Sequence, residues 1–521
     1  MTRGLDRVRS ERGVSLFELM RELGGAAELV GSGVARVHGV HHDSRAVQPG
    51  ELFVARKGAT ADGARFIDDA RKSGATAVLA ARGTPTAAVG LPVLLVDDVA
   101  SALALAAAAI YEHPAFGLEI VGVTGTNGKT TTTHLISAAV DGALGAPRCG
   151  LVGTVGYRYG RFVEDAELTT PEADELARAM FLMRRLGASH VAMEVSSIAL
   201  ELQRVRAVRF TVAALTNLTQ DHLDFHGTMA AYAASKSRLF VDHAPGTAVL
   251  CIDGELGREL ATRVKTRHLT VSAVVGEKAD VVPTRLALTA RGIDATLSTP
   301  GGAIELRSPL VGAHNVENLV VAMGVVSALG LDLHAASRAL SRELGAPGRL
   351  ERCDGEGDDI AVFVDYAHTP DALHRVLKAL RSVCDRRVIC VFGCGGDRDA
   401  TKRGPMGDAV ARAADLAIIT SDNPRSEAPA DIARPIERAA QDAGLRALSP
   451  ADAGAPRGYV LELDRSRAIA LAIEAAAPGD VVCIAGKGHE PYQIIGTEKR
   501  PFDDRVHARL ALVARRSGAR S

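Results

Sequence analysis

Short apolar runs alternate with helix-like amphipathic segments along almost the whole chain. They include VGVT (121–124), VAMEV (191–195), VICVFG (388–393), LAIIT (416–420) and DVVCIAG (480–486). Nearly continuous apolar strands interleaved with helices are typical of parallel sheets that helices cover on both faces. The pattern therefore predicts an α/β fold built on parallel sheets.

Two turn-rich stretches interrupt this alternation, PAFG at 114–117 and GAPG at 345–348. With 521 residues the chain is too long for a single hydrophobic core. We therefore expect three domains, near residues 1–115, 116–345 and 346–521.

The segment GTNGKTT (125–131) follows the first of the apolar strands directly. Gly125 and Gly128 let the backbone bend so that its N–H groups converge on an anion, and Lys129 adds a positive charge. A threonine hydroxyl at the start of the next helix can bind Mg²⁺. The alternative is an ordinary glycine-rich turn. We predict a nucleoside triphosphate site made by Gly125, Thr126, Asn127, Gly128, Lys129, Thr130 and Thr131.

Composition excludes several other functions. The net charge is −1, so nothing favours nucleic acid or an anionic membrane, and only 4% of residues are aromatic. The seven cysteines form no C-x-x-C pair, which indicates free thiols in a reducing cytoplasm. The charged N-terminal stretch MTRGLDRVRSERGVS has no apolar core, so we expect no signal peptide, and no apolar run is long enough for membrane insertion.

Polar motifs stand at the ends of three strands in the last third of the chain. They are GCGGDRD (393–399), SDNPR (421–425) and GKGHE (486–490). Open parallel sheets bind ligands beyond the carboxyl ends of their strands, so these loops are expected to share one crevice. Three unrelated βα turns are the alternative.

The string GTNGKTT and the stretch TNLTQDHLDFHGTMAAYAASKSRLF (216–240) resemble the Mur ligases and their folylpolyglutamate synthase relatives. With the motifs below, the resemblance spans about residues 40–505. It implies ATP-driven amide formation, in which a carboxylate is phosphorylated and an amine then displaces phosphate. It also implies a smaller N-terminal α/β domain that binds UDP, a central P-loop-type domain with a parallel sheet, and a Rossmann-like C-terminal domain.

The expected metal ligands lie in the central part of the chain. Glu194 is a charged residue in an apolar strand, which is costly unless it is paired or bound to a metal; the alternative is a strand-edge glutamate facing water. The resemblance implies that His222 helps to hold a second Mg²⁺ and that Lys236 is carbamylated to give an oxygen ligand. A solvated helix lysine is the alternative at position 236.

Three further stretches resemble the ATP-contacting parts of the family. The resemblance implies that Asn315 in GAHNVENL meets adenine, that Arg349 in GAPGRLE reaches the γ-phosphate, and that Asp365 in DYAHTPDAL meets the ribose. An asparagine that only caps a helix is the alternative at position 315.

The nucleotide-sugar site is expected nearer the N-terminus. HDSRAVQPGELFVARKG (42–58) is similar to the family's uridine-diphosphate region, with Ser44 in a polar turn after a strand. The resemblance also implies contacts from Thr169, Thr170, Ser196 and Arg204. The chain differs from the usual family residues at Ile198, Leu202 and Ala64.

The tetrapeptide DNPR discriminates between branches of the family. Members that add meso-diaminopimelate carry it, whereas members that add L-lysine lack its arginine. Arg425 can form a bidentate pair with the carboxylate that diaminopimelate has and lysine lacks. Asp422 suits an ammonium group, and Asn423 suits either group. The complete expected amino-acid site is Arg398, Asp422, Asn423, Pro424, Arg425, Gly486 and Glu490.

The sequence therefore predicts a cytoplasmic, monomeric enzyme that uses ATP and Mg²⁺. It would join meso-diaminopimelate to UDP-N-acetylmuramoyl-L-alanyl-D-glutamate, with catalysis by Lys129, Glu194, His222, Lys236 and Arg349. The enzymatic alternatives are a lysine-adding ligase and a folylpolyglutamate synthase. The non-enzymatic alternative is an ATP-binding regulator that has lost catalysis.

Overall fold

The structure is a computed structural model that describes residues 4–25, 27–58, 61–86 and 89–518. The first three residues of the charged N-terminal stretch lie outside it. Two compact units divide the chain. Unit 1 takes the described residues of Met1–Pro283 with Ser298–Ile304 and Glu317–Ala339, and unit 2 takes Thr284–Leu297, Glu305–Val316 and those of Leu340–Ser521. The division into three domains stays a prediction.

Unit 1 contains two parallel-type sheets with their covering helices. Its strands are β1 (Val14–Ser15), β2 (Glu28–Val30), β3 (Arg36–Val37), β4 (Val40–His41), β5 (Leu52–Ala55), β6 (Ala77–Ala81), β7 (Val93–Val96), β8 (Glu119–Thr124), β9 (Cys149–Gly153), β10 (Gly156–Tyr159), β11 (Phe162–Glu164), β12 (His190–Glu194), β13 (Val212–Leu215), β14 (Thr247–Cys251) and β15 (Arg267–Val271). Its helices include α1 (Leu16–Glu22), α2 (Ile67–Lys72), α3 (Val99–Ile110), α4 (Lys129–Leu144), α5 (Ala173–Arg185), α6 (Ser197–Glu201), α7 (Leu223–His226), α8 (Met229–Val241) and α9 (Glu255–Arg263).

The larger sheet of unit 1 has the strand order β11-β10-β9-β12-β8-β13-β14-β15. The six strands from β9 to β15 in this order are parallel, and β10 and β11 extend the edge in antiparallel pairing. The smaller sheet has the order β2-β7-β6-β5-β4. Since β8 and β12 are neighbours in the centre of the larger sheet, the loops after them open at the same edge.

Three strands and two helices come next along the chain: β16 (Val282–Thr289), β17 (Gly292–Thr299), β18 (Gly302–Ser308), α10 (Ala313–Ala328) and α11 (Leu333–Leu340). The strands form a three-stranded sheet in the order β16-β17-β18.

The C-terminal part of unit 2 is built on one six-stranded sheet. Its elements are β19 (Glu351–Arg352), β20 (Ala361–Asp365), α12 (Pro370–Arg381), β21 (Val388–Phe392), α13 (Arg403–Ala413), β22 (Leu416–Ile419), α14 (Pro429–Asp442), β23 (Gly458–Leu461), α15 (Arg465–Ala475), β24 (Val481–Ala485), β25 (Tyr492–Ile495), β26 (Glu498–Pro501) and α16 (Asp504–Gly518). The sheet order is β19-β20-β24-β21-β22-β23, all parallel except β19. Apolar cores cover both faces of the sheet, and its central strands β24, β21 and β22 are accordingly apolar.

The α/β fold predicted from the apolar pattern is confirmed. The runs at 388–393, 416–420 and 480–486 form β21, β22 and β24, which are parallel and adjacent in the sheet. All seven cysteines are buried and unpaired, as their spacing predicted. No helix in the described ranges is long and apolar enough to cross a membrane.

Candidate active site

The glycine-rich loop joins the end of β8 to the start of α4. Gly125 has φ +153° and Gly128 has φ +83°, conformations that favour glycine. A Cβ atom on Gly125 would lie 1.8 Å from Thr216 Oγ1, so no other residue fits there. Beyond the loop, the first N–H groups of a sixteen-residue helix are available to an anion.

Two lysine side chains meet at one carbonyl oxygen of this loop. Lys129 Nζ donates to the Gly125 oxygen at 2.9 Å and to the Thr126 oxygen at 3.0 Å. Lys236 Nζ donates to the same Gly125 oxygen at 2.7 Å. Lys236 is 1% exposed, and burial together with the charge of Lys129 holds its pKa well below the usual value.

The main-chain N–H groups of Thr126 and Asn127 donate hydrogen bonds within the protein. Thr126 N donates to the Asn217 main-chain oxygen at 2.9 Å, and Asn127 N donates to Asn217 Oδ1 at 3.0 Å. Asn217 in turn donates from Nδ2 to Glu317 Oε1 at 2.5 Å. Asn217 and Glu317 therefore fix the loop conformation, a role that no sequence motif indicated.

Glu194 ends β12 beside the start of α4 and is 1% exposed. Its Oε2 accepts a hydrogen bond from Thr130 Oγ1 at 3.0 Å, and its Oε1 accepts one from Thr154 N at 2.7 Å. Thr154 Oγ1 lies 3.3 Å from Glu194 Oε2. The predicted ligands Thr130 and Glu194 thus come together, with Thr154 as a neighbour that sequence reasoning missed.

His222 has different partners. Its ring is 42% exposed, its Nε2 lies 3.7 Å from Asp221 Oδ2, and its ring centroid lies 6.0 Å from that of Tyr232. The Tyr232 ring also faces Lys236 Nζ at 4.5 Å. His222 and Lys236 therefore share a neighbour, whereas the Glu194 carboxylate bonds with Thr130 and Thr154.

The predicted nucleotide-sugar residues lie beside Glu194, at and near the loop TTP (169–171), which we call the TTP loop. Thr170 Oγ1 donates to the Glu194 main-chain oxygen at 2.9 Å and accepts from Ser196 N at 3.0 Å. Thr169 Oγ1 lies 3.1 Å from Thr154 Oγ1. Arg204 Nη1 donates to the Thr170 oxygen at 3.2 Å. The structure brings these predicted residues of unit 1 into one connected group.

A cluster of two arginines around Glu172 adjoins this group. Arg204 was predicted, whereas Arg56 and Glu172 were not selected. Glu172 accepts from Arg56 at 2.7 and 2.9 Å and pairs with Arg204 Nη2 at 2.9 Å. Although burial opposes it, these two guanidinium groups hold the pKa of Glu172 below its usual value. Next to it, His42 Nδ1 lies 3.0 Å from both oxygens of buried Asp174, whose charge raises the pKa of His42.

The remaining residues that the sequence analysis named in unit 1 are Ser44 and the three that differ from the usual family residues. Ser44 is buried in the turn after β4. The unusual Leu202 is 40% exposed, while its neighbour Gln203 donates to Asp98 Oδ2 at 2.7 Å. Ile198 lies in α6, and Ala64 lies in the turn that Asp62 caps.

In unit 2, a cavity of about 250 Å³ opens at the carboxyl ends of β20, β21, β22 and β24. Its lining comprises Tyr366, His368, Gly393, Cys394, Gly395, Arg398, Lys402, Asp422, Asn423, Arg425, Gly486 and Glu490. Every predicted amino-acid contact except Pro424 is among them. Tyr366, His368 and Lys402 are lining residues that the sequence analysis did not select.

Arg425 is held in the wall of this cavity. Its backbone has φ +51°, and its main-chain N–H and oxygen bond to Ile494 and Gly496 of the adjacent hairpin. The guanidinium Nη1 donates to the Gly396 oxygen at 2.7 Å, and Arg425 lines the cavity. Pro424 lies behind it, where its carbonyl packs against Gly396.

The other predicted ATP contacts of unit 2 have local partners. Asp365 ends β20 and accepts from the N–H groups of Leu350 and Ala367 at 2.7 and 2.8 Å, and burial raises its pKa. The Arg349 guanidinium stacks over Tyr366 at 4.9 Å. Asn315 Nδ2 donates to the Val311 oxygen at 2.8 Å, just before the start of α10.

In unit 1, Asn318 contacts the glycine-rich loop and the helix that follows it. Its Oδ1 accepts from Thr132 Oγ1 at 3.1 Å and lies 2.3 Å from where a Cβ atom on Gly128 would stand. The motif GAHNVENL therefore contributes a loop contact that the sequence analysis did not assign.

Three family models match the chain. Their descriptions are Mur ligase family, catalytic domain (residues 36–111), Mur ligase middle domain (123–326), and Mur ligase, glutamate ligase domain (348–488). Together the three models match most of the chain between residues 36 and 488.

Individual relatives agree with these models. A Synechococcus elongatus protein is 45% identical over 92% of this chain and 95% of its own length, and one from Streptomyces coelicolor is 44% identical over 95% and 96%. Both are named UDP-N-acetylmuramoyl-L-alanyl-D-glutamate--2,6-diaminopimelate ligase. A solved structure with the same name is 32% identical, with a TM-score of 0.71 over 97% of this chain and 99% of the other.

Proposed function

The chain belongs to the Mur ligase family, and we propose that it joins meso-diaminopimelate to the D-glutamate γ-carboxylate of UDP-N-acetylmuramoyl-L-alanyl-D-glutamate at the expense of ATP. The names of the relatives support this reaction. The observation that carries it is the cavity in which the charged residues Arg398, Asp422, Arg425 and Glu490 stand together. The reaction belongs to the synthesis of peptidoglycan precursors.

The chemistry has two steps. An oxygen of the γ-carboxylate attacks the γ-phosphorus atom of ATP, the bond to the bridging oxygen breaks, and ADP leaves. The neutral amine of diaminopimelate then attacks the carbonyl carbon of the acyl phosphate. The bond to the phosphate oxygen breaks, the amide forms, phosphate leaves, and the amine nitrogen loses one proton. Catalysis rests on positioning and on neutralisation of the phosphate charge.

The phosphates of ATP bind the glycine-rich loop and the start of α4. Gly125, Gly128 and the helix N-terminus shape an anion site, and Lys129 neutralises charge that develops on the phosphate oxygens. Arg349 for the γ-phosphate, Asp365 for the ribose and Asn315 for adenine are part of the proposal on the strength of the family resemblance.

The residues around Glu194 fit Mg²⁺. The donor set is a buried carboxylate with the hydroxyl groups of Thr130 and Thr154, and Mg²⁺ prefers such oxygen ligands. Bound there, the ion would offset the negative charge of the reacting phosphates. The buried amine of Lys236 is held toward its neutral form, which is the form that combines with CO₂ to give a carbamate and a proton. That carbamate and His222 would hold a second ion.

The nucleotide substrate binds along the TTP loop. Thr169, Thr170, Ser196 and Arg204 form one bonded group, and Ser44 lies in the N-terminal part of unit 1. Both phosphates of the UDP group and the substrate carboxylate are anions, and the cluster of Arg56 and Arg204 around Glu172 carries one excess positive charge.

The wider organisation is also proposed. The three separate ranges of the family models support a UDP-binding domain at 1–115, an ATP-binding domain at 116–345 and an amino-acid-binding domain at 346–521. Free thiols support a cytoplasmic location, and the near-neutral charge gives no electrostatic support for binding nucleic acid or an anionic membrane. A monomeric state is part of the proposal.

Phosphate release tests the proposal. The full chain with ATP and Mg²⁺ is expected to release phosphate only when both UDP-N-acetylmuramoyl-L-alanyl-D-glutamate and diaminopimelate are present, and mass spectrometry should show their condensation product. Phosphate release that does not respond to diaminopimelate would contradict the reaction. A protein that binds ATP without turnover would favour the regulator.

A further inference from the structure

Lys487 is a fully buried lysine whose hydrogen-bond and ion-pair partners line the amino-acid cavity. It follows Gly486 at the end of β24, and its side chain is 0% exposed. A buried ammonium group is costly unless it is paired and hydrogen-bonded. Its partners are therefore informative about why the position is charged.

Lys487 Nζ lies over the Tyr492 ring, 5.6 Å from its centroid, and its hydrogen-bond and ion-pair partners are three residues of the cavity wall. Its Nζ donates to Asn423 Oδ1 at 3.1 Å and to Glu490 Oε2 at 3.3 Å, and it lies 3.6 Å from Asp422 Oδ1. All three partners line the cavity, whereas Lys487 is not among the lining residues. Lys487 therefore acts on a bound amino acid only through other side chains.

The contact with Asn423 fixes the orientation of its amide group. A lysine ammonium only donates hydrogen bonds, so the oxygen of Asn423 must face it. The same oxygen accepts from Ile494 N at 2.9 Å, and the amide nitrogen donates to Glu490 Oε2 at 3.2 Å. One cation thus aligns the SDNPR and GKGHE loops and the hairpin that follows.

The charge of Lys487 also determines the net charge of this part of the cavity wall. Ionised Asp422 and Glu490 carry two negative charges, and Lys487 reduces their sum to one. The neighbouring Arg465 does not alter this balance, because Asp504 pairs with it at 2.6 Å. One negative charge matches one ammonium group of a bound amino acid, while Arg398, Lys402 and Arg425 in the same cavity suit its carboxylates.

We propose that Lys487 is a positioning residue of the amino-acid site. It aligns Asn423 and Glu490, and it leaves Asp422 and Glu490 with one net negative charge, which matches a single ammonium group. This inference rests on the proposed function and adds to it a determinant of amino-acid affinity that touches no substrate.

The test is steady-state phosphate release by the full chain with K487M, K487R and the exposed-lysine control K378M. For K487M the KM for diaminopimelate is expected to rise about tenfold or more, because two aligned polar groups and a charge balance are lost. The KM values for ATP and for the UDP-muramoyl dipeptide are expected to stay within about twofold. K487R keeps the charge and should show a smaller rise, and K378M should match the wild type.

A double-mutant cycle adds a readout that a purely structural role would not produce. E490Q is expected to raise the KM for diaminopimelate less in the K487M background than in the wild type. Without Lys487, Asp422 and Glu490 leave the cavity wall with two negative charges, and E490Q removes one of them. Additive effects, an unchanged KM for diaminopimelate, or an equal rise of all three KM values would overturn the proposal. If K487M does not fold, K487R decides, with a selective rise in the KM for diaminopimelate as the supporting result and an unchanged KM as the contrary one.

Failure of the proposed function would look different. In that case the wild type itself would release no phosphate in response to diaminopimelate. Normal wild-type turnover with wild-type KM values in the Lys487 variants would overturn the positioning role alone.

Discussion

Lys129 and Lys236 donate hydrogen bonds to the same carbonyl oxygen, that of Gly125, at 2.9 and 2.7 Å. Two amines so close cannot both hold a proton cheaply, and Lys236 is the more buried. Lys236 is therefore the lysine whose pKa is held well below its usual value, toward the neutral amine. The two lysines of this site are therefore expected to have different chemical roles.

The first prediction is that Lys236 takes up CO₂. With the pKa lowered, the neutral amine is present at lower pH than in an ordinary lysine, so a carbamate can form near neutrality. In ¹³C-bicarbonate, a carbamate signal is expected in the NMR spectrum of the wild type and not in that of K236M. K487M is the matched control, because Lys487 is equally buried but ion-paired, and it should keep the signal. An identical signal in K236M would place the carbamate elsewhere.

The second prediction concerns Arg425→Ala. Loss of a charge-assisted pair to the second carboxylate should lower kcat/KM for diaminopimelate by about 10–100-fold, or about 1.5–3 kcal/mol. Activity with lysine should change much less, because lysine lacks that carboxylate. Steady-state kinetics with both amino acids measure this, with R446A as an exposed-arginine control. Normal use of diaminopimelate by R425A would refute the carboxylate pair.

The third prediction is a pH dependence of stability. Burial raises the pKa of Glu317 from 4.5 to about 7, so the folded state binds more protons than the unfolded state between these values. Stability should therefore fall as pH rises from about 4.5 through 7, by about 1–3 kcal/mol for this group. Urea unfolding from pH 5 to 8 is expected to show a shallower decline in E317Q. Parallel curves for the two proteins would exclude this contribution.

The fourth prediction concerns the buried pair of Arg465 and Asp504. Asp504 accepts two hydrogen bonds from Arg465, which also donates to the oxygens of Ser421 and Ala485, just before Asp422 and Gly486. D504N leaves a buried guanidinium unpaired and should lower the free energy of unfolding by about 3–5 kcal/mol.

Urea unfolding measures that change. D408N, which removes the partner of the exposed Arg412, should leave the free energy of unfolding nearly unchanged. A D504N protein as stable as the wild type would show that the pair does not support the two loops.

Much of this arrangement could be predicted from local sequence. Apolar runs of strand length identified the central strands of two sheets, and polar residues after β21, β22 and β24 indicated a crevice because parallel strands end at one edge. The glycines of the phosphate loop could be predicted because only glycine adopts the required backbone there.

The rest depends on contacts between distant parts of the chain. Glu172 and Arg56 meet across more than a hundred positions, and a single arginine in a strand end gives no local signal of such a pair. Asn318 lies in the same motif as Asn315, but its bond with Thr132 joins two distant segments and has no local signal in the sequence. Lys487 and Arg465 are buried charges with partners in distant segments, Asn423 and Asp504, so their roles appear only once the sheet is formed.

The most direct test of the account compares meso-diaminopimelate with L-lysine as acceptors for the wild-type chain, with saturating ATP, Mg²⁺ and UDP-N-acetylmuramoyl-L-alanyl-D-glutamate. The cavity that holds Arg425 predicts a kcat/KM for diaminopimelate at least about tenfold above that for lysine. Equal values, or a preference for lysine, would contradict the account.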